Sequence, residues 1–206
     1  MDGDCADLPR LCDLADQFDA ILIVDEAHAT GVLGQEGTGL CEAQGVAKRI
    51  DIVISTASKA LGSLGGLITA RREIIATIIN RARPFIFTTG AMPAQAAAIT
   101  AALDLIRDQP WRRHRLQAMA RTLRRRVVDY GFTTTGGELP IPIVPIIMGG
   151  CEEALKLAAH LEKFGIFAPA IRPPSVPHGS ARVRLSLRAD FQDSEIDQLA
   201  NALSCW

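Results

Sequence analysis

The chain has 206 residues, enough for one large domain or two small ones; 48% are hydrophobic and 22% charged, a globular composition that excludes a disordered chain. A formal net charge of −1 gives no electrostatic reason to expect a nucleic acid or an anionic membrane as partner. No apolar run reaches the roughly 18 residues of a membrane span, and the acidic opening MDGDCADL lacks the basic and apolar regions of a signal peptide. The five cysteines, Cys5, Cys12, Cys41, Cys151 and Cys205, form no CxxC pair and have no histidine at ligand spacing. That pattern predicts reduced thiols in a cytoplasmic protein and no metal site.

In chain order, Leu8, Leu11, Leu14 and Ala15 share one face and predict a helix over about 6–19. The run AILIVD (20–25) is apolar on both faces, as expected of a parallel strand buried between helices. A glycine-rich loop follows (Gly31, Gly34, Gly37, Gly39), then a strand at DIVIS (51–55) and another at GGLITA (65–70). Helices are predicted over 72–82, 93–108 and 111–130. In the last, Leu116, Met119, Ala120, Leu123 and Val127 keep helical spacing between the arginines of WRRHRLQAMARTLRRR, so the basic run reads as a solvated helix face rather than a nucleic-acid patch.

The texture changes near Asp108-Gln109-Pro110. ELPIPIVPIIM reads as a proline-interrupted edge strand, 151–164 as a helix, GIFA (165–168) as a short strand, ARVRLSL (181–187) as a strand with one polar face, and the segment from Asp193 as a final helix. The expected fold class is α/β. A large domain over 1–109 has a mostly parallel sheet flanked by helices, and a smaller α+β domain covers 110–206.

The chemistry gathers at two strand ends. Asp25 closes ILIVD and is followed by Glu26 and His28; Lys59 follows DIVIS among Ser55, Thr56, Ser58 and small residues. Open α/β sheets bind ligands at the carboxyl ends of their strands, so parallel strands bring Asp25 and Lys59 to one rim. The pair could be a structural ion pair or part of a site. LIVDEAH also looks like a helicase box, with STA at 55–57 as its downstream motif. That reading requires a GxxxxGK[ST] phosphate loop, and the chain has no Gly-Lys dipeptide.

Four segments together, DEAHATGVLGQEGTG, DIVISTASKALGSLGG, FIFTTGAMP and AIRPPSVPHGSARVRLSL, resemble the α-oxoamine synthases, pyridoxal-phosphate enzymes of fold type I. The resemblance covers essentially the whole chain and keeps the family's order. It is nearest to the biotin-pathway member, which joins L-alanine to a pimeloyl thioester. It implies that Lys59 holds the cofactor covalently and then serves as the base at Cα, and that Asp25 pairs with the pyridine nitrogen. It further implies that His28 bonds the ring's phenolic oxygen, and that Thr56, with Ser58 of similar chemistry, binds that oxygen or the phosphate. Thr88 and Thr89 match a segment reaching the phosphate of a neighbouring subunit, which makes a homodimer the expected assembly. Arg184 matches the arginine that clamps the amino acid's carboxylate. Arg172 and Ser175 match positions on the acyl-substrate side, whereas Arg182 is expected in solvent or in an ion pair. The acyl donor would be a thioester of coenzyme A or of a carrier protein, and relatives use glycine or serine. The match begins in the middle of the family's catalytic domain. The chain alone is therefore expected to bind cofactor poorly, to turn over nothing, and to leave strands such as AILIVD without a neighbour on one side.

Overall fold

The computed structural model describes residues 1–206, which divide into two compact units, Ala6–Arg113 and Met1–Cys5 with His114–Trp206. The first five residues thus belong with the second unit, not with the 1–109 part in which they were expected. They are seated by Asp2, which pairs with Arg182 and whose carbonyl accepts the Thr135 hydroxyl at 2.8 Å.

In the first unit, α1 (Leu8–Phe18) starts at Asp7, whose carboxylate accepts the Arg10 N–H, and stops where Asp19 turns left-handed (φ 49°). Strand β1 (Ile23–Asp25) leads into the glycine-rich loop, the short helix α2 (Leu40–Ala43) and a 3-10 turn at Ala47–Arg49. Strand β2 (Ile52–Thr56) lies parallel to β1 in the register Ile23–Ile52, Val24–Val53, Asp25–Ile54. Strand β3 (Gly66–Ala70) pairs antiparallel with β2 on its other side. The sheet order is β1-β2-β3, with one parallel and one antiparallel pair. The antiparallel pair follows from the short link from Thr56 to Gly66, which leaves no room for the helical crossover that a parallel return needs. Helices α3 (Arg72–Arg81), α4 (Arg83–Ile86) and α5 (Pro93–Asp108) complete the unit, α5 beginning where the Gln95 amide oxygen accepts the Met92 N–H.

The apolar run AILIVD forms only three residues of strand, and β1 is an edge of the sheet. Val24 is buried, but Ile21 is 71% and Ile23 54% exposed, so the run is not enclosed on both faces.

In the second unit, helix α6 (Trp111–Asp129), whose residues from His114 on belong here, buries Leu116, Met119, Ala120, Leu123 and Val127, while Arg121 and Arg125 face solvent. Strand β4 (Ile143–Gly149) is an edge strand and tolerates Pro145. Helix α7 (Cys151–Lys163), strand β5 (Ala170–Ile171), strand β6 (Ala181–Ser186) and helix α8 (Asp193–Ser204) follow. The sheet runs β4-β6-β5, antiparallel throughout. Pairing on β5 begins at Ala170, not in GIFA, where Phe167 stands 89% exposed. No helix of the chain is long and apolar enough to cross a membrane.

Candidate functional site

Because β1 and β2 are parallel, Asp25 and the end of β2 reach the same rim of the sheet. The Glu26 N–H donates to Ile54 O at 2.7 Å, and the Thr30 and Ser55 hydroxyls bond at 2.9 Å, tying the two loops together there. Asp25 accepts the Ala27 N–H on Oδ1 at 2.8 Å and enters no ion pair, so its second oxygen is open. His28 stands exposed in the turn whose Ala29 and Thr30 N–H groups donate to Glu26 O.

After β2 the chain coils on itself. Ala57 N donates to Gly65 O, Ser63 N to Ala57 O and Gly62 N to Lys59 O; the Thr56 hydroxyl bonds that of Ser58 at 2.9 Å. Lys59 sits exposed on this coil with no salt bridge and no side-chain hydrogen bond. Asp25 and Lys59 are therefore not the structural ion pair that their spacing allowed. The closeness of the two loops shows at Gly31 (φ 78°), where an added Cβ would lie 2.9 Å from the Cβ of Ala60.

Three charged residues that the sequence reading did not assign hold this rim from behind. Glu26 is 1% exposed; its carboxylate accepts the N–H groups of Leu40 at 2.6 Å and Cys41 at 2.7 Å, closing the start of α2. This disposes of the helicase reading, in which that carboxylate would face water. Glu42 accepts the Glu36 N–H and both the N–H and hydroxyl of Thr38. Burial pushes its pKa up, but these donors outweigh burial and hold it below the ordinary carboxylate value. Arg113, buried, donates to the carbonyls of Ile106 and of Gln35, the latter at 2.6 Å. The glycine-rich loop is thus wound around two carboxylates and a guanidinium. Apart from the Thr38 hydroxyl and the Cys41 thiol, their partners are backbone groups, which carry no sequence signal.

Thr88 and Thr89 lie exposed after α4, and the Thr88 hydroxyl reaches only Thr89 O; no hydrogen bond joins them to Asp25, Thr56 or Lys59.

In the second unit, Arg184 occupies the central strand, opposite Pro145 on β4, with its N–H donating to Pro169 O on the other side. Both neighbours are prolines, which offer its side chain nothing to bond. Its Nε is buried without a partner, and the guanidinium makes no ion pair. A buried donor left open on an arginine is chemistry suited to an incoming carboxylate. Arg182, two residues earlier on the same strand, is 4% exposed and ion-paired with Asp2, with its Nε donating to Ser180 O at 3.0 Å. Arg172 and Ser175 are exposed on the turn after β5, where Ser175 N donates to Arg172 O. The peptide bond between Pro173 and Pro174 in this turn is cis.

A partnerless amine, a carboxylate with an open oxygen and two adjacent hydroxyls on one rim fit the aldehyde, ring nitrogen and anionic groups of pyridoxal phosphate. The fold agrees. It is that of the fold type I pyridoxal-phosphate enzymes: a structure of serine palmitoyltransferase with its pyridoxal phosphate internal aldimine matches all of this chain and 52% of its own, at a TM-score of 0.95 and 29% identity. The enzyme of that name from Sphingomonas wittichii matches at 0.94 and 27% identity, over all of this chain and 51% of its own. The chain belongs to the aminotransferase class I and II family, whose pattern matches residues 1–203.

Among curated relatives, 8-amino-7-oxononanoate synthase of Anaeromyxobacter dehalogenans is 42% identical over 204 residues, which are 99% of this chain and 51% of the relative. The enzyme of that name from Stutzerimonas stutzeri is 41% identical over 208 residues, or 100% and 53%. The chain spans about half the length of the curated relatives it matches.

Proposed function

We propose that this chain carries part of the active site of a pyridoxal-phosphate-dependent acyltransferase that condenses L-alanine with a pimeloyl thioester to give 8-amino-7-oxononanoate. The observation that carries the reading is the Lys59 amine, partnerless on the rim that also presents the open carboxylate of Asp25. Bound pyridoxal phosphate supplies the electron sink that makes the Cα–H bond of alanine acidic. Asp25 holds the pyridine nitrogen protonated, and His28 bonds the phenolic oxygen. Thr56 and Ser58 offer hydroxyls to that oxygen or to the phosphate; Thr88 and Thr89 serve the phosphate of a second copy in a homodimer. Arg184 clamps the carboxylate of alanine.

Lys59 takes the Cα proton. The electron pair left there attacks the thioester carbonyl, and a thiol leaves. Loss of carbon dioxide and return of a proton give the amino ketone. Arg172 and Ser175 line the acyl side. The curated relatives matched at 42% and 41% identity are oxononanoate synthases, which supports alanine as the amino acid. The cytoplasm is the compartment that fits these thiols and this chemistry.

Half of a relative's length leaves cofactor contacts unsupplied, and in this reading the 206 residues alone turn over no substrate. The test is borohydride reduction of the chain, loaded with pyridoxal phosphate in the presence of the missing half of a relative, followed by peptide mapping. The phosphopyridoxyl label is expected on Lys59 and lost in Lys59→Ala. Label on another side chain, or alanine-dependent thiol release by the isolated chain, overturns the respective part of the reading.

A further inference from the structure

In the second unit one aromatic ring stands in water on a backbone that is held. Phe167 is 89% exposed, more than any other large apolar side chain of the protein. The chain on both sides of it is nonetheless fixed. Ile166 N donates to Leu161 O at 3.1 Å, Ala168 is buried, and Pro169 O accepts the Arg184 N–H at 3.0 Å. That last bond carries the β5–β6 register one residue past Ala170–Val183, so Pro169 lies opposite Arg184 as Ile171 lies opposite Arg182. Alternate residues of an extended chain share a face. Ala168, Val183 and Leu185 are buried on one face. Phe167, Pro169 and Ile171 therefore form an apolar row on the other, alongside Arg184, whose Nε is buried without a partner. The row is about 13 Å long, and past Ile171 it runs into the turn of Arg172 and Ser175. A ring this exposed contributes little to the stability of the unit, because it removes little area from water.

We infer that Phe167 is a specificity-determining residue for the acyl donor: its ring takes the methylene chain, and Pro169 and Ile171 continue the strip on which that chain lies. The inference rests on the reading proposed above, in which Arg184 holds the carboxylate of alanine and Arg172 and Ser175 line the acyl side. It adds the group that reads the length of the acyl chain. The strip suits a ligand that is apolar along its middle and polar at its ends. Arg184 lies beside it and Arg172 at one end, while the strip itself offers no hydrogen-bond donor: Pro169 has no N–H, and the side chains of Phe167 and Ile171 carry no polar atom. An acetyl group has no methylene to lay on the ring, whereas a pimeloyl chain has a run of them, each able to contribute up to about fourfold in affinity when buried. A ring that served only as packing for more polypeptide would be blind to acyl length.

The experiment titrates the 206-residue chain with acyl thioesters of N-acetylcysteamine, a small thiol, in a series from acetyl to pimeloyl, by calorimetry and without cofactor or alanine. Affinity is expected to rise along the series, by at least about tenfold from end to end. Phe167→Ala is expected to flatten the rise and to leave acetyl binding as it was. Phe167→Tyr, which keeps the ring, is expected to keep the rise, and Leu155→Ala, on exposed α7 surface, to change nothing. Circular dichroism of Phe167→Ala is expected to match that of the unsubstituted chain; should it differ, Phe167→Leu, expected to bind the pimeloyl thioester about threefold more weakly, decides. Affinity indifferent to acyl length, a rise that survives Phe167→Ala, or a rise lost in Leu155→Ala overturns the inference. The reaction is read separately, as alanine-dependent thiol release by the chain with pyridoxal phosphate and the missing half of a relative. Release without length-dependent binding sinks the inference and leaves the reaction; length-dependent binding without release sinks the reaction and leaves Phe167 as part of an acyl site.

Discussion

Glu26 and Asp25 are neighbours in sequence with opposite fates. Asp25 ends a strand and keeps one oxygen open to solvent, whereas Glu26 turns inward and spends both oxygens on the N–H groups of Leu40 and Cys41. Truncating it in Glu26→Ala orphans two buried donors and is expected to destabilise the first unit by about 3 kcal/mol, read from urea unfolding. Glu26→Gln, which keeps one acceptor, is expected to cost less. The same carboxylate acts on Cys41. Burial first, and the Glu26 hydrogen bond and charge next, push that thiol from an ordinary 9.0 up to about 12. Unfolding frees it to ionise near its ordinary value, so above about pH 8.5 the unfolded state holds fewer protons than the folded one and stability falls with rising pH. Chemical denaturation between pH 8 and 10 checks the slope, and Cys41→Ala is expected to flatten it. Thiol reagents are expected to label exposed Cys151 and Cys205 promptly, and Cys12 and Cys41 only on unfolding.

At the scale of elements, the glycine-rich loop shows why its glycines are not equivalent. Gly34 (φ 85°) would place a Cβ 2.1 Å from the Glu42 carboxylate, which holds Glu36 and Thr38; at Gly45 (φ 70°) a Cβ meets nothing. Gly45→Ala is expected to cost about 1 kcal/mol of backbone strain. Gly34→Ala should cost at least about 2 kcal/mol more, because it displaces the carboxylate and its hydrogen bonds. Thermal melts of the two variants side by side check the difference. The rim itself was legible in the sequence. Asp25 and Lys59 follow apolar runs, and strand ends gather ligand chemistry whatever the rest of the fold does. The frame behind it was not, since Glu26, Glu42 and Arg113 bond mainly to backbone groups brought close only by folding. GIFA misled because four apolar residues read as strand, though nothing pairs with them until Ala170. AILIVD misled in the other direction: its two-faced apolarity is a request for cover that the 206 residues leave unmet. In ARVRLSL the alternation was real, yet Arg182 on the polar face is buried, because Asp2, 180 residues away, reaches it.

That last contact governs the molecule as a whole. The chain begins in the second unit, builds the first, and returns to the second at His114. The opening residues are not a loose tail. Gly3 (φ 62°) passes so near Ile143 that a Cβ would lie 2.2 Å from its carbonyl oxygen, Thr135 bonds Asp2 O, and the Asp2 carboxylate neutralises buried Arg182. Removing the acid leaves a guanidinium in the sheet with one carbonyl, that of Ser180, as its partner. A fully buried pair broken this way costs about 3–5 kcal/mol; Asp2 is half-exposed, so Asp2→Ala is expected to cost about 1–2 kcal/mol. Deleting Met1–Cys5 should cost more, since it also removes the packing at Gly3 and Thr135. The loss should fall on the second unit alone. With Trp111→Phe in the background, Trp206 is the one remaining tryptophan and lies in that unit, so its fluorescence in urea reports the second unit's midpoint. The midpoint is expected to drop in Asp2→Ala and further in the deletion, while Glu26→Ala, which acts in the first unit, leaves it in place. A first-unit variant that moved the Trp206 midpoint as far as the deletion does would mean that the two units unfold as one, and that the opening residues stabilise the entire chain.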